Sequence, residues 1–333
     1  MRVAINGMGR IGRLLFRRLS ENPTIEIVAV NDLISIENLA YLIKYDSVYG
    51  TFSSPIKIVN NSLHVRGKEI SVLQTANPLE LPWKKLDVDV VLECTGQFLN
   101  KEKASMHLKA GAKKVLLSTT GADDIPLMVY GFNQKDSLEK MDILSPGGCM
   151  TNCSVHILYL LNAIGIKSVH VNILHSYTSR QSLVDMPHEQ FRRGRAAAES
   201  IIPVAIDLDK SLNRLLPALN SKINVFSTRV PVANDAMASF TIQLKSNTTT
   251  SQINKLFESA SQKHYKDIIE FTEEPLVSLD IKGNTHSCII DATQTAAIDN
   301  HVRVVAWFDN EYGFTSRMID WLHYWNGQMK KRK

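Results

Sequence analysis

The stretch SPGGCMTNCSVH, Ser145 to His156, sets a cysteine directly after two glycines and a second cysteine four positions later. Cys149 has three chemical uses in that setting: a nucleophile, half of a metal or redox pair, or a small buried side chain. Gly147 and Gly148 suit a sharp turn, and apolar residues recur at helical spacing from Thr151 to Leu161, so Cys149 is expected to open a helix. A helix N-terminus favours the thiolate. Cys153 would follow one turn on, along the same face. A metal needs more ligands than Cys149, Cys153 and His156 supply from one short helix. The C-x-x-x-C spacing in a helix is poorly placed for a relaxed disulfide, and Cys153 reads as a buried small residue. A thiol nucleophile also needs a base. His156, His170, His175 and His188 are the candidates, and His175 closes a strand-like stretch, NILHSYT.

A second group of residues suits a nucleotide. NGMGRIGR, Asn6 to Arg13, spaces Gly7, Gly9 and Gly12 as G-x-G-x-x-G. Gly7 would make the tight turn, Gly9 would admit a pyrophosphate, and Gly12 would let helix and strand pack closely. A helix N-terminus following the turn supplies N–H groups for the anion. Asp32, twenty positions beyond Gly12, ends the next strand-like run. Its carboxylate would accept the ribose hydroxyls and repel a 2′-phosphate, which favours NAD over NADP.

The elements that must position these groups follow from periodicity. RVAIN (2–6), EIVAVND (26–32), VDVVLECTG (88–96) and KKVLLSTT (113–120) read as buried strands, with helices over 11–19 and 102–110. That alternation predicts a Rossmann-type, doubly wound parallel sheet in an α/β chain. Beyond Cys149 the strands HVNILHSYT, INVFSTRVPV, ASFTIQL, HSCIIDA and RVVAWFDN alternate more, which predicts an α+β domain with a mostly antiparallel sheet. A helix over 249–260 lies among them, and another closes the chain from Gly313. The expected division is 1–148, closed by the C-terminal helix 313–333, and 149–312.

Composition sets the bounds. The chain has 333 residues, 44% hydrophobic and 21% charged, enough for two domains and a large core. No apolar run approaches the roughly 20 residues of a membrane span, and the N-terminus carries no signal-peptide pattern, so a cytoplasmic location is expected. Four cysteines do not make a disulfide framework. The net charge of +5 owes much to the tail KKRK, Lys330 to Lys333, which reads as a solvated end. No nucleic-acid partner is expected, because no aromatic interleaving or recognition motif accompanies that tail.

Taken together these residues resemble the phosphorylating glyceraldehyde-3-phosphate dehydrogenase family, with the erythrose-4-phosphate dehydrogenases as the near relatives. The likeness runs through INGMGRIGR, ND at 31–32, ECTG at 93–96, CMTNC at 149–153, HSYT at 175–178, RRGRAAAESIIP at 192–203, TRVP at 228–231 and WFDNEYGFTSR at 307–317. It implies a phosphorylated aldehyde substrate, Cys149 as the nucleophile and His175 as its base. It implies an NAD site made by Gly7, Gly9, Arg10, Ile11, Asp32, Thr95 and Ser118, with Asn310 orienting the nicotinamide carboxamide. Thr178 and Arg229 match the substrate phosphate site, and Arg195 the inorganic phosphate site. Residues 178–200 correspond to the family's S-shaped loop, which implies a homotetramer, and Met186 and Pro187 fit an NAD-preferring loop. Two departures stand out. Arg180 occupies a position that is smaller or acidic in the family. Gly148 and Met150 flank the nucleophile where the family usually has hydroxyl residues, and Val204, Ala205, Ile206 and Asp207 stand where it usually reads serine, serine, threonine and glycine. The resemblance implies oxidation of glyceraldehyde 3-phosphate through a Cys149 thioester with phosphorolysis to 1,3-bisphosphoglycerate; these replacements keep open hydrolysis of the thioester, on that or a related aldehyde such as erythrose 4-phosphate, and a catalytically weak member with a binding role.

Overall fold

The computed structural model describes residues 1–136 and 141–330. Lys331, Arg332 and Lys333 of the basic tail lie outside the described residues. The chain divides into two compact units, Met1–Gly148 with Thr315–Lys333, and Cys149–Phe314.

The first unit starts with β1 (Arg2–Asn6), whose last four residues are all buried. A strand buried on both faces reads as a continuous apolar run and suits a parallel sheet. Next come α1 (Arg10–Ser20), β2 (Glu26–Asn31) and α2 (Ile36–Lys44). A small hairpin of β3 (Tyr45–Asp46) and β4 (Gly50–Thr51) precedes β5 (Ile56–Val59), β6 (Ser62–Val65) and β7 (Lys68–Leu73). β8 (Val90–Glu93), α3 (Lys101–Lys109), β9 (Lys114–Leu117) and β10 (Ile143–Leu144) complete the run. The sheet order is β10-β9-β8-β1-β2-β7-β6-β5. Pairing is parallel from β10 to β7 and antiparallel at the β7-β6-β5 end. The chain winds outward in both directions from β1, so the switch point lies between β1 and β8, where such sheets bind ligands.

Arg17 of α1 holds the outer pieces in place. It is buried, its Nε donates to Ile43 O at 2.8 Å, and its Nη1 donates to Gly50 O at 3.0 Å. The guanidinium thereby satisfies carbonyls at the end of α2 and in the hairpin that helix geometry leaves open.

The second unit opens with α4 (Cys149–Asn162), so Cys149 is the first helical residue, as its glycines and apolar spacing predict. β11 (Ile166–Ser176), β12 (Ile202–Val204), α5 (Leu208–Leu215), β13 (Ile223–Val230) and β14 (Ala236–Leu244) follow. α6 (Thr250–Ser261), β15 (Ile269–Thr272), α7 (Ser278–Ile281), β16 (Cys288–Ile298) and β17 (His301–Phe308) close the unit. The order is β12-β13-β11-β14-β17-β16-β15. Four of the six pairings are antiparallel; β11 with β13 and β15 with β16 are parallel. α6 carries a full capping box, in which the Thr249 hydroxyl accepts from Gln252 N at 3.2 Å and the Gln252 side chain accepts from Thr249 N at 3.0 Å. α8 (Tyr312–Lys330) belongs to the first unit from Thr315 onward. There Arg18 Nη1 reaches the Thr315 and Ser316 hydroxyls, both at 2.9 Å.

Candidate active site

In the first unit the turn after β1 forms a cleft of about 320 Å³ lined by Gly7, Gly9, Asp32, Thr95 and their neighbours. Gly7 adopts φ +93°, a conformation glycine takes without strain. A Cβ on Gly12 would sit 2.0 Å from Gly7 O, so only glycine lets α1 start this close to the turn. A Cβ on Gly9 would meet nothing within 4 Å. Among the described residues no side chain caps α1, and no acid sits in its first turn, so the positive end of its dipole meets no carboxylate of its own helix. Asp32 Oδ2 accepts from Met8 N at 2.7 Å and Oδ1 from Ile34 N at 3.3 Å, leaving a lone pair on each oxygen for a ligand.

The cleft floor is a buried polar network. Glu93 accepts from Asn6 Nδ2 at 2.6 Å, from Thr95 N at 2.8 Å, and from the Thr95 hydroxyl. Trp83 Nε1 donates to His107 Nδ1 at 3.0 Å, so the His107 proton sits on Nε2 and points to Glu93 Oε2, also at 3.0 Å. Asn31 Nδ2 donates to Asn6 Oδ1 at 2.7 Å. Ser118 N donates to Glu93 O at 2.9 Å. Arg10 pairs with Asp46 at 2.5 Å, and Ile11 is half-buried beside it at the start of α1.

In the second unit Cys149 Sγ lies 3.7 Å from His175 Nε2. His175 Nδ1 donates to Ser176 O at 2.8 Å, which fixes the tautomer and turns the Nε2 lone pair toward sulfur. Burial pushes the Cys149 thiol up to about 11, against Arg229 and the Met150 and Cys149 N–H groups, which favour the thiolate. Burial, then Arg229, pushes His175 down to about 3. The resting pair is therefore thiol and neutral imidazole. Cys149 keeps some exposure, so solvent tempers the rise. The other histidines are placed elsewhere: His156 is buried with its ring 5.3 Å from that of Tyr265, His170 is exposed, and His188 accepts from Gln190 N. Cys153 is fully buried, and all four cysteines are free thiols.

β11 and β13 set His175 in register with Arg229. Arg229 is buried, donates to Ser176 O at 3.3 Å, and has an Nε with no partner among the described residues. Asn310 Oδ1 accepts from Asp235 N at 2.9 Å and from Ser176 Oγ at 3.2 Å, so its amide nitrogen is the side left to donate. Thr178 is half-buried just past β11.

Two family models match the chain. Residues 1–101 match "Glyceraldehyde 3-phosphate dehydrogenase, NAD binding domain", and residues 148–310 match "Glyceraldehyde 3-phosphate dehydrogenase, C-terminal domain". Glyceraldehyde-3-phosphate dehydrogenase 2 of Bacillus subtilis is 38% identical over 99% of this chain and 98% of its own length. The glyceraldehyde-3-phosphate dehydrogenase of Geobacillus stearothermophilus is 41% identical over 97% and 98%, and that of Zymomonas mobilis 40% over 96% and 97%. The chain belongs to the glyceraldehyde 3-phosphate dehydrogenase family. It is an NAD-dependent oxidoreductase, and the cleft fits that cofactor: the uncapped helix start suits a pyrophosphate, the open space at Gly9 admits it, and Asp32 keeps lone pairs for ribose hydroxyls.

Of the residues that the family likeness points to, Cys149, His175, Arg229 and Asn310 stand close together in the second unit, as do Gly7, Gly9, Asp32 and Thr95 in the first. Arg195 stands apart. Its side chain is exposed and paired with Asp185 at 3.0 Å. Arg193, not singled out by the sequence, is the arginine of that run whose charge reaches the site: it adds to that of Arg229 on His175 and to that of Arg180 on Arg229. The RRGR run offers three arginines at adjoining positions, and spacing alone does not choose between them. Asn6, Thr75, Gln97 and Phe98 also line the nucleotide cleft without a sequence signal of their own. At the positions that depart from the family, a Cβ on Gly148 would meet only the Thr120 hydroxyl, at 4.0 Å, and Asp207 is exposed and paired with Lys210 at 2.7 Å.

Proposed function

We propose that the protein oxidises glyceraldehyde 3-phosphate with NAD through a thioester on Cys149, which phosphate releases as 1,3-bisphosphoglycerate. The observation that carries this reading is the Cys149–His175 pair at 3.7 Å with the imidazole held in the accepting tautomer. The thiol proton passes to His175 Nε2 as sulfur bonds to the aldehyde carbon, giving a thiohemiacetal. The imidazolium then returns a proton to solvent or to the oxyanion, and Nε2 accepts the hydroxyl proton as the C–H bond breaks. Bound NAD supplies the acceptor for that hydride. A phosphate oxygen attacks the thioester carbon, the C–S bond breaks, and the thiol is restored with the proton held by His175. Arg229 lies within reach to favour sulfur anion at each stage, since its charge lowers the Cys149 thiol. Asn310, with only its amide nitrogen left to donate, suits the nicotinamide carboxamide. Thr178 and Arg229 are the proposed seat of the substrate phosphate, and Arg195 the proposed donor to inorganic phosphate, in a position that its pairing with Asp185 would have to release.

A second reading has its own support. Gly148, Met150 and Ile206 offer no hydroxyl, and Asp207 adds a carboxylate, which weakens a phosphate dianion's hold by roughly 1.5–3 kcal/mol for each charged hydrogen bond lost. In that reading water hydrolyses the thioester, on glyceraldehyde 3-phosphate or on a related aldehyde such as erythrose 4-phosphate. The deciding experiment is NADH formation from glyceraldehyde 3-phosphate and NAD, with and without phosphate, with the acyl product identified. Strict phosphate dependence supports phosphorolysis. Turnover without phosphate to the free acid supports the second reading, and no NADH under either condition overturns both.

We further infer a homotetramer in the cytoplasm. Leu183, Val184, Met186, Phe191 and Ile201 are 58–88% exposed within one loop, more apolar surface than a monomer ordinarily shows there. Free cysteines suit a reducing compartment. No helix among the described residues is long and apolar enough to cross a membrane.

A further inference from the structure

Three guanidinium groups of the second unit, Arg180, Arg193 and Arg229, share one electrostatic field. Gln181 brings the first two together. It is 5% exposed, and its Nε2 donates to the carbonyls of Arg193 and Arg195, both at 2.9 Å. Ser182 N reaches Arg193 O at 3.1 Å, and Ala197 N reaches Ser182 O at 2.9 Å. The turn that carries Arg180 is thus strapped to the segment that carries Arg193. β12 then sets Ile202 in register with Arg229, which ties that segment to β13.

No carboxylate pairs with any of the three among the described residues; Asp185, between Arg180 and Arg193 in the chain, is held by Arg195. Arg229 is 6% exposed with its Nε unpartnered, and the buried Nη1 of Arg193 has no acceptor either. Burial, then Arg193, then Arg180 push Arg229 down to about 10. Burial and then Arg180 lower Arg193 as well. Grouped cations with orphaned N–H donors are costly until an anion completes them. Planar guanidinium forks match phosphate oxygens.

We propose that Arg180 is a specificity-determining residue, which joins Arg193 and Arg229 to form a three-cation seat for a phosphate monoester dianion and selects phosphorylated over uncharged aldehydes. The proposal deepens the reading of the site as an aldehyde-oxidising centre and rests on it for the identity of the substrate. Arg180 is exposed at the rim, so it acts on capture of the charged substrate and on the salt dependence of that capture.

The test compares the wild-type chain with Arg180→Gln and Arg180→Lys. The quantities read are kcat/KM for glyceraldehyde 3-phosphate and for glyceraldehyde across ionic strength. In Arg180→Gln the ratio of the two values falls about ten-fold, through KM of the phosphorylated substrate, and its salt slope becomes shallower. Arg180→Lys keeps the charge and recovers most of the ratio. An unchanged ratio and slope in Arg180→Gln overturns the inference, and so does an equal fall on both aldehydes, the mark of a merely structural role. A wild type that oxidises neither aldehyde strikes the proposed function instead, and the seat is then read directly. Inorganic phosphate should slow iodoacetamide alkylation of Cys149 in the wild type at about ten-fold lower concentration than in Arg180→Gln; equal concentrations overturn the seat.

Discussion

At Cys149 and His175 burial acts on two groups in opposite directions, and each direction sets a limb of the stability profile. His175 binds its proton near pH 3 when folded and near 6.5 when unfolded. Between those values the unfolded chain holds more protons, so stability falls as pH drops from 6.5 toward 3. The thiol stays protonated to about 11 folded against 9.0 unfolded, so the folded chain holds the extra proton and stability falls as pH rises from 9 toward 11. His175→Gln removes the acid limb. We expect the wild-type Tm to fall by about 2–4 °C more than that of the variant between pH 6.5 and 5, once solvent access is allowed for; parallel curves would mean the imidazole is not held neutral. Cys149→Ala should abolish oxidation and leave NAD binding nearly intact, and retained turnover would remove the nucleophile assignment. Asp235 adds a residue-scale liability. It is 2% exposed, sits at φ +72°, and shares Asn234 Nδ2 with Asp309, at 3.2 Å to each carboxylate. Burial and then Asp309 raise it to about 8. Folded Asp235 thus keeps a proton that the unfolded chain loses near 3.8, and stability drains as pH rises from 3.8 through 8. Asp235→Asn tolerates the same backbone and should gain about 1–3 kcal/mol at pH 8, with the gain shrinking toward pH 4 in denaturant titrations; a constant gain at all pH values would assign it to packing instead.

At the scale of elements, the β1 turn and the start of α1 separate two demands that glycine meets. Gly12 serves the fold, because a Cβ there strikes Gly7 O at 2.0 Å, whereas a Cβ on Gly9 meets only open space. Gly12→Ala should therefore lower Tm by several degrees, with a loss of about 2 kcal/mol or more from overpacking. Gly9→Ala should leave Tm within about a degree of the wild type and weaken NAD by roughly ten-fold or more, because the added methyl enters the pyrophosphate path. Tight NAD binding by Gly9→Ala would show that the cofactor does not approach that backbone. This turn was legible in the sequence because its chemistry is local: three glycines, a strand before and a helix after. The parallel strands were legible for a related reason, since burial on both faces leaves unbroken apolar runs. Residues 45–73 were not legible. Their strands are short, β5 has a half-buried first residue and three exposed ones, and they hold their places through carbonyls bonded by Arg17 from α1, a contact no periodicity announces. The network of Asn6, Trp83, Glu93 and His107 was equally silent, because its bonded pairs lie 14 to 101 positions apart and meet only once β1, β8, α3 and the segment before β8 are assembled.

At the scale of the molecule, the change from continuous to alternating apolar runs near Cys149 foreshadowed two different sheets, and the contact boundary between Gly148 and Cys149 falls at the nucleophile. Arg193 and Asp235 escaped notice because their roles depend on which charges tertiary structure sets beside them. The loop between β11 and β12 poses the remaining question of scale. Its backbone is well tied, with Met186 N bonded to Gly194 O at 2.9 Å and Gln181 bonded to three carbonyls, yet its large apolar side chains face outward. A braced backbone with exposed apolar side chains is the pattern of a surface made to be covered. Phe191 is the most exposed, at 88%, and Val184 stands at 72%. Neither contributes to the buried core of its own unit, so Phe191→Glu with Val184→Glu should leave each chain folded while setting a carboxylate against its counterpart surface. Buried unpaired charge costs several kcal/mol in an interface. Sedimentation of the wild type should give a four-chain species, and the double variant should shift to one or two chains at micromolar concentration, with Cys149 still alkylated once per chain. A wild type that sediments as a single chain, or a variant whose mass does not change, would mean that this loop is not the surface through which copies of the chain meet.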